Sequence, residues 1–246
     1  MIWIKEQHAH RRGPLKAMLL SAGRGERMRP LTDYTPKPLL QVGGVPLIVR
    51  HIKNMARAGI CDLVINHAHL GNKIEAALGD GSQFGVHIHY SAEGVALETA
   101  GGIANALSLL GGEPFAVVNS DIFCDYDFAR LPECADALNR SADTAHLVLI
   151  NNPAHHPNGD FCLVNGRVVN GTPALTFSGI GVYQPDLFSN IPRGAKASLA
   201  PLLRAQIDLG RVRGEHHLGR WIDVGTPQRL ESLDNALSSS HNINHV

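Results

Sequence analysis

Nothing in this sequence supplies a net charge: lysine and arginine total 22, as do aspartate and glutamate, among 246 residues. The whole-protein field therefore offers no case for nucleic acid as a partner, and any anion must be caught locally. Long hydrophobic runs are also missing. The apolar stretches are strand-sized and interrupted by charge or glycine, which leaves no membrane-spanning helix and no signal-peptide core, so the chain reads as soluble and cytoplasmic with no membrane partner. Cysteine is scarce, and Cys61, Cys124, Cys134 and Cys162 form no CxxC pair. Neither a disulfide framework nor a zinc knuckle is indicated, and reduced thiols are expected. Histidines number 14, yet no HExxH or comparable spacing occurs, and His155/His156 and His216/His217 suit solvated loops. No internal repeat or low-complexity linker interrupts the chain.

What is present is enough apolar residue, 44%, for one large α/β domain. Residues 1–14 mix charge and histidine without periodicity and read as a disordered extension or an early start site. The expected domain runs from 15 to 238, with a nucleotide-binding half at about 15–140 and a sugar-binding half at about 141–238. A disordered tail is expected over 239–246.

Strand-length apolar runs alternate with helical patterns through the first half. Leu47, Ile48, His51, Ile52, Met55 and Ala58 follow amphipathic helix spacing, and Gly59 is placed to end it. Leu63 to Ile65 reads as a buried strand, and Asn72 as the cap of a short helix closed by Gly79. Val86, Ile88 and Tyr90 alternate with His87 and His89, the pattern of a half-exposed strand. Ala100 to Leu110 is helical and Phe115 to Val118 a buried strand. This alternation predicts a doubly wound, Rossmann-like, mostly parallel α/β sheet whose ligands sit at the carboxyl ends of its strands. In the second half, Phe161 to Val164 and Arg167 to Val169 flank Asn165-Gly166 as a hairpin, and Leu175 to Tyr183 is extended, which predicts a small antiparallel subdomain on the same sheet. Leu199 to Leu209 is helical. Trp221-Ile222-Asp223 ends a strand, and Thr226-Pro227 opens a final helix.

The residues that carry chemistry start with Leu20-Ser21-Ala22-Gly23-Arg24-Gly25-Glu26-Arg27-Met28-Arg29-Pro30-Leu31-Thr32, followed by Thr35-Pro36-Lys37-Pro38-Leu39. A strand running into alternate glycines exposes consecutive backbone N–H groups that can surround phosphate oxygens. The dinucleotide fingerprint fails, because Met28 stands where its third glycine belongs, and the Walker Gly-Lys-Ser/Thr is absent. Arg24, Arg27, Arg29 and Lys37 distinguish this loop, although an ordinary glycine turn with solvated basic residues would give a similar pattern. Two aspartates follow short apolar strands: Asp121 after Val117-Val118-Asn119-Ser120, and Asp223 after Trp221-Ile222. Either could equally cap a turn or helix. If both face a polyphosphate, a carboxylate about 5 Å from one phosphate charge is repelled by roughly 3 kcal/mol at an effective dielectric of about 20, so a cation must stand between them. Magnesium, with its preference for hard oxygen ligands, meets that need.

The segment from Leu20 to Leu39 resembles the signature of the sugar-1-phosphate nucleotidyltransferases, Leu-x-Ala-Gly-x-Gly-x-Arg-x-x-Pro-Leu-Thr-x-x-x-Pro-Lys-Pro-Leu, and the resemblance extends from Lys16 to about Leu237. It implies that Gly23, Gly25, Glu26 and Arg27 hold a triphosphate, that Lys37 neutralises the reacting phosphates, and that Asp121 and Asp223 bind magnesium. Arg27, Lys37, Asp121 and Asp223 are thus the implied catalytic group. Thr99, Gly101 and Gly102 match the loop that contacts the base, with Asn119 on the nucleotide side. Glu98, Asn152, Gly159, Asp160 and Gly179 match positions facing the sugar. Two positions depart from the pattern: Glu98 stands where many members have glycine, and Ser120 replaces a glycine before Asp121. Asn66-His67-Ala68, Leu97-Glu98-Thr99, Phe177-Ser178-Gly179-Ile180 and Ala200-Pro201-Leu202-Leu203 resemble members that use UTP and N-acetylmuramic acid α-1-phosphate in peptidoglycan recycling. Such members begin at a Met-Lys-Ala where Leu15-Lys16-Ala17 stands here. The alternatives are a uridylyl-, thymidylyl- or guanylyltransferase acting on glucose or mannose 1-phosphate, and a silent paralogue that binds nucleotide sugars. Trp221 is expected to pack in the core rather than to serve as a sugar platform, and His87 and His89 to lie on an exposed face.

Overall fold

The computed structural model describes residues 13–242. Positions 1–12 of the expected extension and 243–246 of the expected tail lie outside the described residues. In chain order the regular elements are β1 (Lys16–Leu20), α1 (Leu31–Tyr34), β2 (Gln41–Val42), β3 (Val45–Pro46), α2 (Leu47–Arg57), β4 (Asp62–His67), α3 (Gly71–Leu78), β5 (His87–Ala92) and α4 (Glu98–Leu110). Then come β6 (Phe115–Asn119), β7 (Ile122–Cys124), α5 (Leu131–Asn139), β8 (Ala145–Ile150), β9 (Cys162–Val164), β10 (Arg167–Val169) and β11 (Thr176–Tyr183). The chain finishes with α6 (Leu199–Asp208), β12 (Val212–His217), β13 (Trp221–Asp223) and α7 (Pro227–Asn242). The last helix runs four residues past the boundary expected at 238.

One nine-stranded sheet, ordered β5-β4-β1-β6-β11-β8-β12-β10-β9, organises these elements. Its first four strands are mutually parallel. β11 then runs antiparallel to both β6 and β8, while β12 pairs parallel with β8. The β9–β10 hairpin closes the far edge, turning through Asn165 (φ 51°) and Gly166 (φ 76°), the left-handed pair that a two-residue turn requires. The expected α/β sheet with an antiparallel portion on the same sheet is what forms.

Both faces of this sheet are covered, which is why its strands are apolar at consecutive positions. Along β1, Ala17 and Leu19 point into one core with Ile48, Ile52 and Met55 of α2, Ile74 and Leu78 of α3, and Leu131 and Leu138 of α5. Met18 points into the other, with Ile103 and Leu110 of α4 and Leu203 and Ile207 of α6. Full burial of each such aliphatic side chain contributes about 1.5–3 kcal/mol. Trp221 packs against the first core and donates its indole N–H to the Ser178 carbonyl at 2.9 Å, the packing role expected of it.

One local expectation is corrected. Asn72 does not cap α3: the helix begins at Gly71, after Leu70 in the left-handed region, and no side-chain cap hydrogen bond forms. The His67 ring lies over that helix start, so close that a Cβ at residue 71 would sit 1.9 Å from its Nδ1. Trp221-Ile222-Asp223 is a strand as expected, and it pairs antiparallel with β7 in a separate two-stranded ribbon.

Candidate active site

The carboxyl ends of β1 and β6 open into a cavity of about 390 Å³. Its wall is made by the loop after β1 (Leu20–Gly23 and Gly25–Met28), by Lys37 and Pro38, by Ala96, Glu98 and Thr99 at the head of α4, and by Asn119, Ser120 and Asp121 after β6. Gly25 fixes the loop's shape. Its φ is +65°, and a Cβ there would stand 2.9 Å from Thr32 Cγ2 and 3.3 Å from Lys37 Cβ. Thr32 Oγ1 donates to the Gly25 carbonyl at 2.9 Å, tying the loop to α1.

Lys37 enters from a short 3₁₀ turn, Lys37–Leu39, whose preceding residue Pro36 is extended. Its side chain is buried, and its Nζ lies 2.5 Å from Asp121 Oδ2. A buried ammonium needs such a partner. Asp121 sits in the turn between β6 and β7, where Ser120 N donates to the Leu20 carbonyl at 3.2 Å.

The ribbon brings the second aspartate to the first. β7 and β13 pair with Ile122 opposite Asp223, and Val224 N donates to the Asp121 carbonyl at 3.1 Å. Asp223 Oδ2 is met by Arg229 Nη1 at 2.6 Å, and His155 Nε2 lies 3.6 Å away. Burial and then the neighbouring Arg229 hold the His155 imidazole below its usual value, against the pull of Asp223. A Cβ at Gly225, a residue of the cavity wall, would stand 2.8 Å from Asp223 Oδ2 and 3.2 Å from Arg27 Nη2. Arg27 and Asp223 thus flank one edge of the cavity. Two carboxylates on one ribbon, each now compensated by a cation of the chain, form a hard-oxygen donor set that fits magnesium.

Of the expected site residues, Gly23, Gly25, Glu26, Arg27, Lys37, Glu98, Thr99, Asn119 and Asp121 meet in the cavity. The others have different surroundings. Gly101 receives the loop before α6: its N–H donates to the Ala197 carbonyl at 3.0 Å, and a Cβ would strike the Ala195 carbonyl oxygen. Gly102 leaves room for Glu93 and Asn66, whose polar atoms would lie 2.7 and 2.8 Å from a Cβ. Gly179, at φ +82° in the bulge of β11, leaves room for the Asn119 side chain, 2.6 Å from a Cβ. In the loop after β8, Asn152 donates to the Pro157 and Ala174 carbonyls and accepts from Thr176 Oγ1 at 2.9 Å. Asp160 accepts from Phe177 N at 2.8 Å and pairs with His156 at 3.0 Å, and Gly159 is pressed against Ala174. Asn152, Gly159 and Asp160 therefore hold the 151–160 loop against β11. Within the protein these are the contacts that the three residues make.

A buried polar network beneath the loop escaped the sequence reading. Ser21 N donates to Asn66 Oδ1 at 2.8 Å, Asn66 Nδ2 donates to Glu93 Oε1 at 2.7 Å, and Leu97 N donates to Glu93 Oε2 at 2.8 Å. Ser21 Oγ donates to Ser120 Oγ at 3.0 Å, which donates to the Leu20 carbonyl at 2.6 Å. Asn66 ends a buried strand, as Asn119 does, and that shared signal could have found it. Away from the cavity, Cys134, His146 and Glu215 bring three donor atoms within 4.8 Å of one another. Arg130 already pairs with Glu215, Tyr126 donates to it at 2.5 Å, and burial pushes the Cys134 thiol up to about 11, whereas the buried His146 Nε2, 3.5 Å from Glu215 Oε1, has no hydrogen-bond partner among the described residues.

Comparison with known proteins agrees with this geometry. The family described as Nucleotidyl transferase matches residues 16–165. N-acetylmuramate alpha-1-phosphate uridylyltransferase of Neisseria meningitidis serogroup B is 54% identical over 222 residues, covering 88% of this chain and 96% of that protein. The protein of the same name from Caulobacter vibrioides is 34% identical over 87% of this chain and 93% of its own length. Mannose-1-phosphate guanylyltransferase of Mycobacterium tuberculosis is 30% identical, and this chain spans 61% of its length. A sucrose-bound chain from Bacillus anthracis, assigned as a glucose-1-phosphate thymidylyltransferase, shares the fold with a TM-score of 0.80 at 22% identity, over 91% of this chain and 95% of that one. No helix among the described residues is long and apolar enough to cross a membrane. With the family matched over residues 16–165, and a relative sharing more than half its residues over most of both chains, the protein belongs to the nucleotidyl transferase family of enzymes.

Proposed function

We propose that the protein transfers UMP from UTP to N-acetylmuramic acid α-1-phosphate, releasing pyrophosphate and giving UDP-N-acetylmuramic acid, in the cytoplasm as part of peptidoglycan recycling. The observation that carries this reading is the meeting of the glycine loop, the Lys37–Asp121 pair and the Asp223 ribbon at one cavity. The 54% identity to the Neisseria enzyme supports the choice of donor and acceptor.

In this reading the loop from Ser21 to Arg27 cradles the triphosphate through its backbone, with Arg27 on the outer phosphates. The acceptor's phosphate oxygen attacks the α-phosphorus in line, a new P–O bond forms, and the bond to the bridging oxygen of the β-phosphate breaks. A sugar phosphate is already anionic at neutral pH, so no general base is required, and positioning and charge compensation supply the rate. Lys37, fixed by its burial, offsets charge on the reacting phosphates. Asp121 and Asp223 would hold magnesium, which would supply positive charge to offset that of the leaving pyrophosphate. Glu98 and Thr99 border the base and sugar side of the cavity.

The test is pyrophosphate release by purified protein with each nucleoside triphosphate against N-acetylmuramic acid, glucose and mannose 1-phosphates, with magnesium and with a chelator. Release specific to UTP and the muramic acid phosphate, lost with the chelator, is the expected result. Preference for GTP with mannose 1-phosphate would replace the substrate assignment, and no release with any pair would overturn the activity.

A further inference from the structure

Two arginines stand beside Asp223. Arg27 approaches it from the glycine loop and Arg229 from the first turn of α7, while Lys37 on the opposite side is already matched by Asp121. Arg229 is held in place from several directions. Its backbone N–H is capped by Thr226 Oγ1 at 3.3 Å, and its side chain is mostly buried. Its Nη1 donates to the Asp223 carbonyl oxygen at 3.1 Å, to Asp223 Oδ2 at 2.6 Å, and to His155 Nε2 at 3.2 Å. His155 belongs to the loop after β8, which β11 anchors through Asn152 and Asp160. One guanidinium thus joins the cavity's acidic ribbon to the loop that opens the sugar half.

The proposed acceptor differs from N-acetylglucosamine 1-phosphate by one charged group, the carboxylate of its lactyl ether. Selecting for that group calls for a cation that the triphosphate and the acceptor's phosphate do not consume. A planar guanidinium, fixed before the ligand arrives, is suited to a carboxylate because it can offer two parallel N–H donors. Arg27 belongs to the outer phosphates in the reading above, which leaves Arg229, held between Asp223 and His155 of the loop after β8, as the remaining cation beside this edge of the cavity. We infer that Arg229, backed by His155, recognises the acceptor's carboxylate and so sets selectivity for an acidic sugar phosphate. This rests on the function proposed above. A rival role is purely structural, with Arg229 serving only to orient Asp223, and the two roles differ in what they do to acceptor choice.

The experiment compares the protein with its Arg229→Gln and Arg229→Lys variants. It measures kcat and KM for N-acetylmuramic acid 1-phosphate and N-acetylglucosamine 1-phosphate at saturating UTP. Calorimetric affinities for UDP-N-acetylmuramic acid and UDP-N-acetylglucosamine supply a readout independent of turnover. The ratio of the two kcat/KM values should fall by about tenfold or more in Arg229→Gln, through KM for the muramic acid phosphate, with a parallel loss of affinity for its UDP sugar. Arg229→Lys keeps the charge without the fork, so its ratio should fall by a smaller factor; it also serves if the glutamine variant does not fold. Equal losses on both acceptors, with the ratio unchanged, would leave Arg229 a support for Asp223 and overturn this inference alone. An unmodified protein that transfers UMP to both acceptors equally also overturns it alone, whereas one that ignores the muramic acid phosphate overturns the functional reading with it.

Discussion

Val224 donates its backbone N–H to the carbonyl of Asp121 over 3.1 Å, so the two acids expected to share a magnesium ion are tied by main-chain bonds rather than by side-chain chance. Exchanging either carboxylate for an amide should leave that tie intact. Asp121→Asn and Asp223→Asn are therefore expected to fold, with unchanged far-ultraviolet circular dichroism, while pyrophosphate release falls by at least about 10³-fold. Retention of more than a tenth of the rate in either variant would remove that aspartate from the reaction.

The Lys37–Asp121 pair should respond asymmetrically to truncation. Lys37 is only 10% exposed at its side chain, whereas Asp121 is 33% exposed. Asp121→Ala strands a buried ammonium, at a cost of about 1–3 kcal/mol, below the full range for a wholly buried pair because water reaches one partner. Lys37→Ala leaves a carboxylate that water can reach, so its denaturation midpoint should fall less. Urea titrations of both variants would decide, and equal losses would show that the pair is not the cause.

Gly179, which the family pattern implies at the sugar, combines a φ of +82° with a close approach to the Asn119 side chain. In Gly179→Ala the new Cβ would meet Asn119 Nδ2 at 2.6 Å, and the left-handed backbone adds strain, together destabilising the fold by about 2–3 kcal/mol. The displaced Asn119 should raise KM for UTP more than KM for the acceptor. A rise confined to the acceptor would support the sugar contact that the sequence pattern implied.

These outcomes show where the sequence was legible. The alternation of apolar runs with helical spacing was readable because each side of the sheet imposes its own periodicity, so Ile48, Ile52 and Met55 betray α2 without any partner being known. Lys37 and the loop were readable because a phosphate cradle needs glycine and cations close together in the chain. Residues joined across the fold were not. Arg229 reaches a site whose other members lie in distant segments, and nothing in its own neighbourhood distinguishes it from a solvated helix residue. Asn152 and Asp160 show the converse: polar residues that clamp a loop have the same composition as polar residues that face a ligand, so the clamp they form could not be read from the sequence alone.

Glu98 adopts φ +61° at the start of α4, a conformation that glycine takes without strain and that explains why a glycine is common at this position in the family pattern. Its carboxylate is tied to Ser198 Oγ and lies 3.5 Å from Lys196 Nζ, and the Ser198 hydrogen bond, helped by Lys196 against an opposing desolvation, holds it below the usual carboxylate range. Both Glu98→Gly and Glu98→Ala lose that tie, but only glycine relieves the backbone. The glycine variant should therefore melt a few degrees above the alanine variant, while amides of the 194–198 loop exchange faster in both. Identical melting temperatures would mean that the left-handed backbone at this position carries no strain.

His51 gives the fold a pH dependence whose sign can be worked out. It is buried in α2, its Nε2–H donates to the Ile122 carbonyl at 2.8 Å at the root of the ribbon, and burial pushes its pKa down to about 4. The unfolded chain binds this proton near the ordinary value of 6.5 and the folded one does not, so between those values the unfolded state carries more protons and stability rises with pH. The contribution is fully present above 6.5 and is lost as pH falls toward 4. Lowering the pH from 7 to 5 should cost about 2 kcal/mol through this residue alone. His51→Leu removes the titration together with the hydrogen bond, so it should be less stable at pH 7 yet lose less on going to pH 5. Denaturant titrations of both proteins at the two pH values measure the difference, and parallel losses would show that another group governs the acid side of the stability curve.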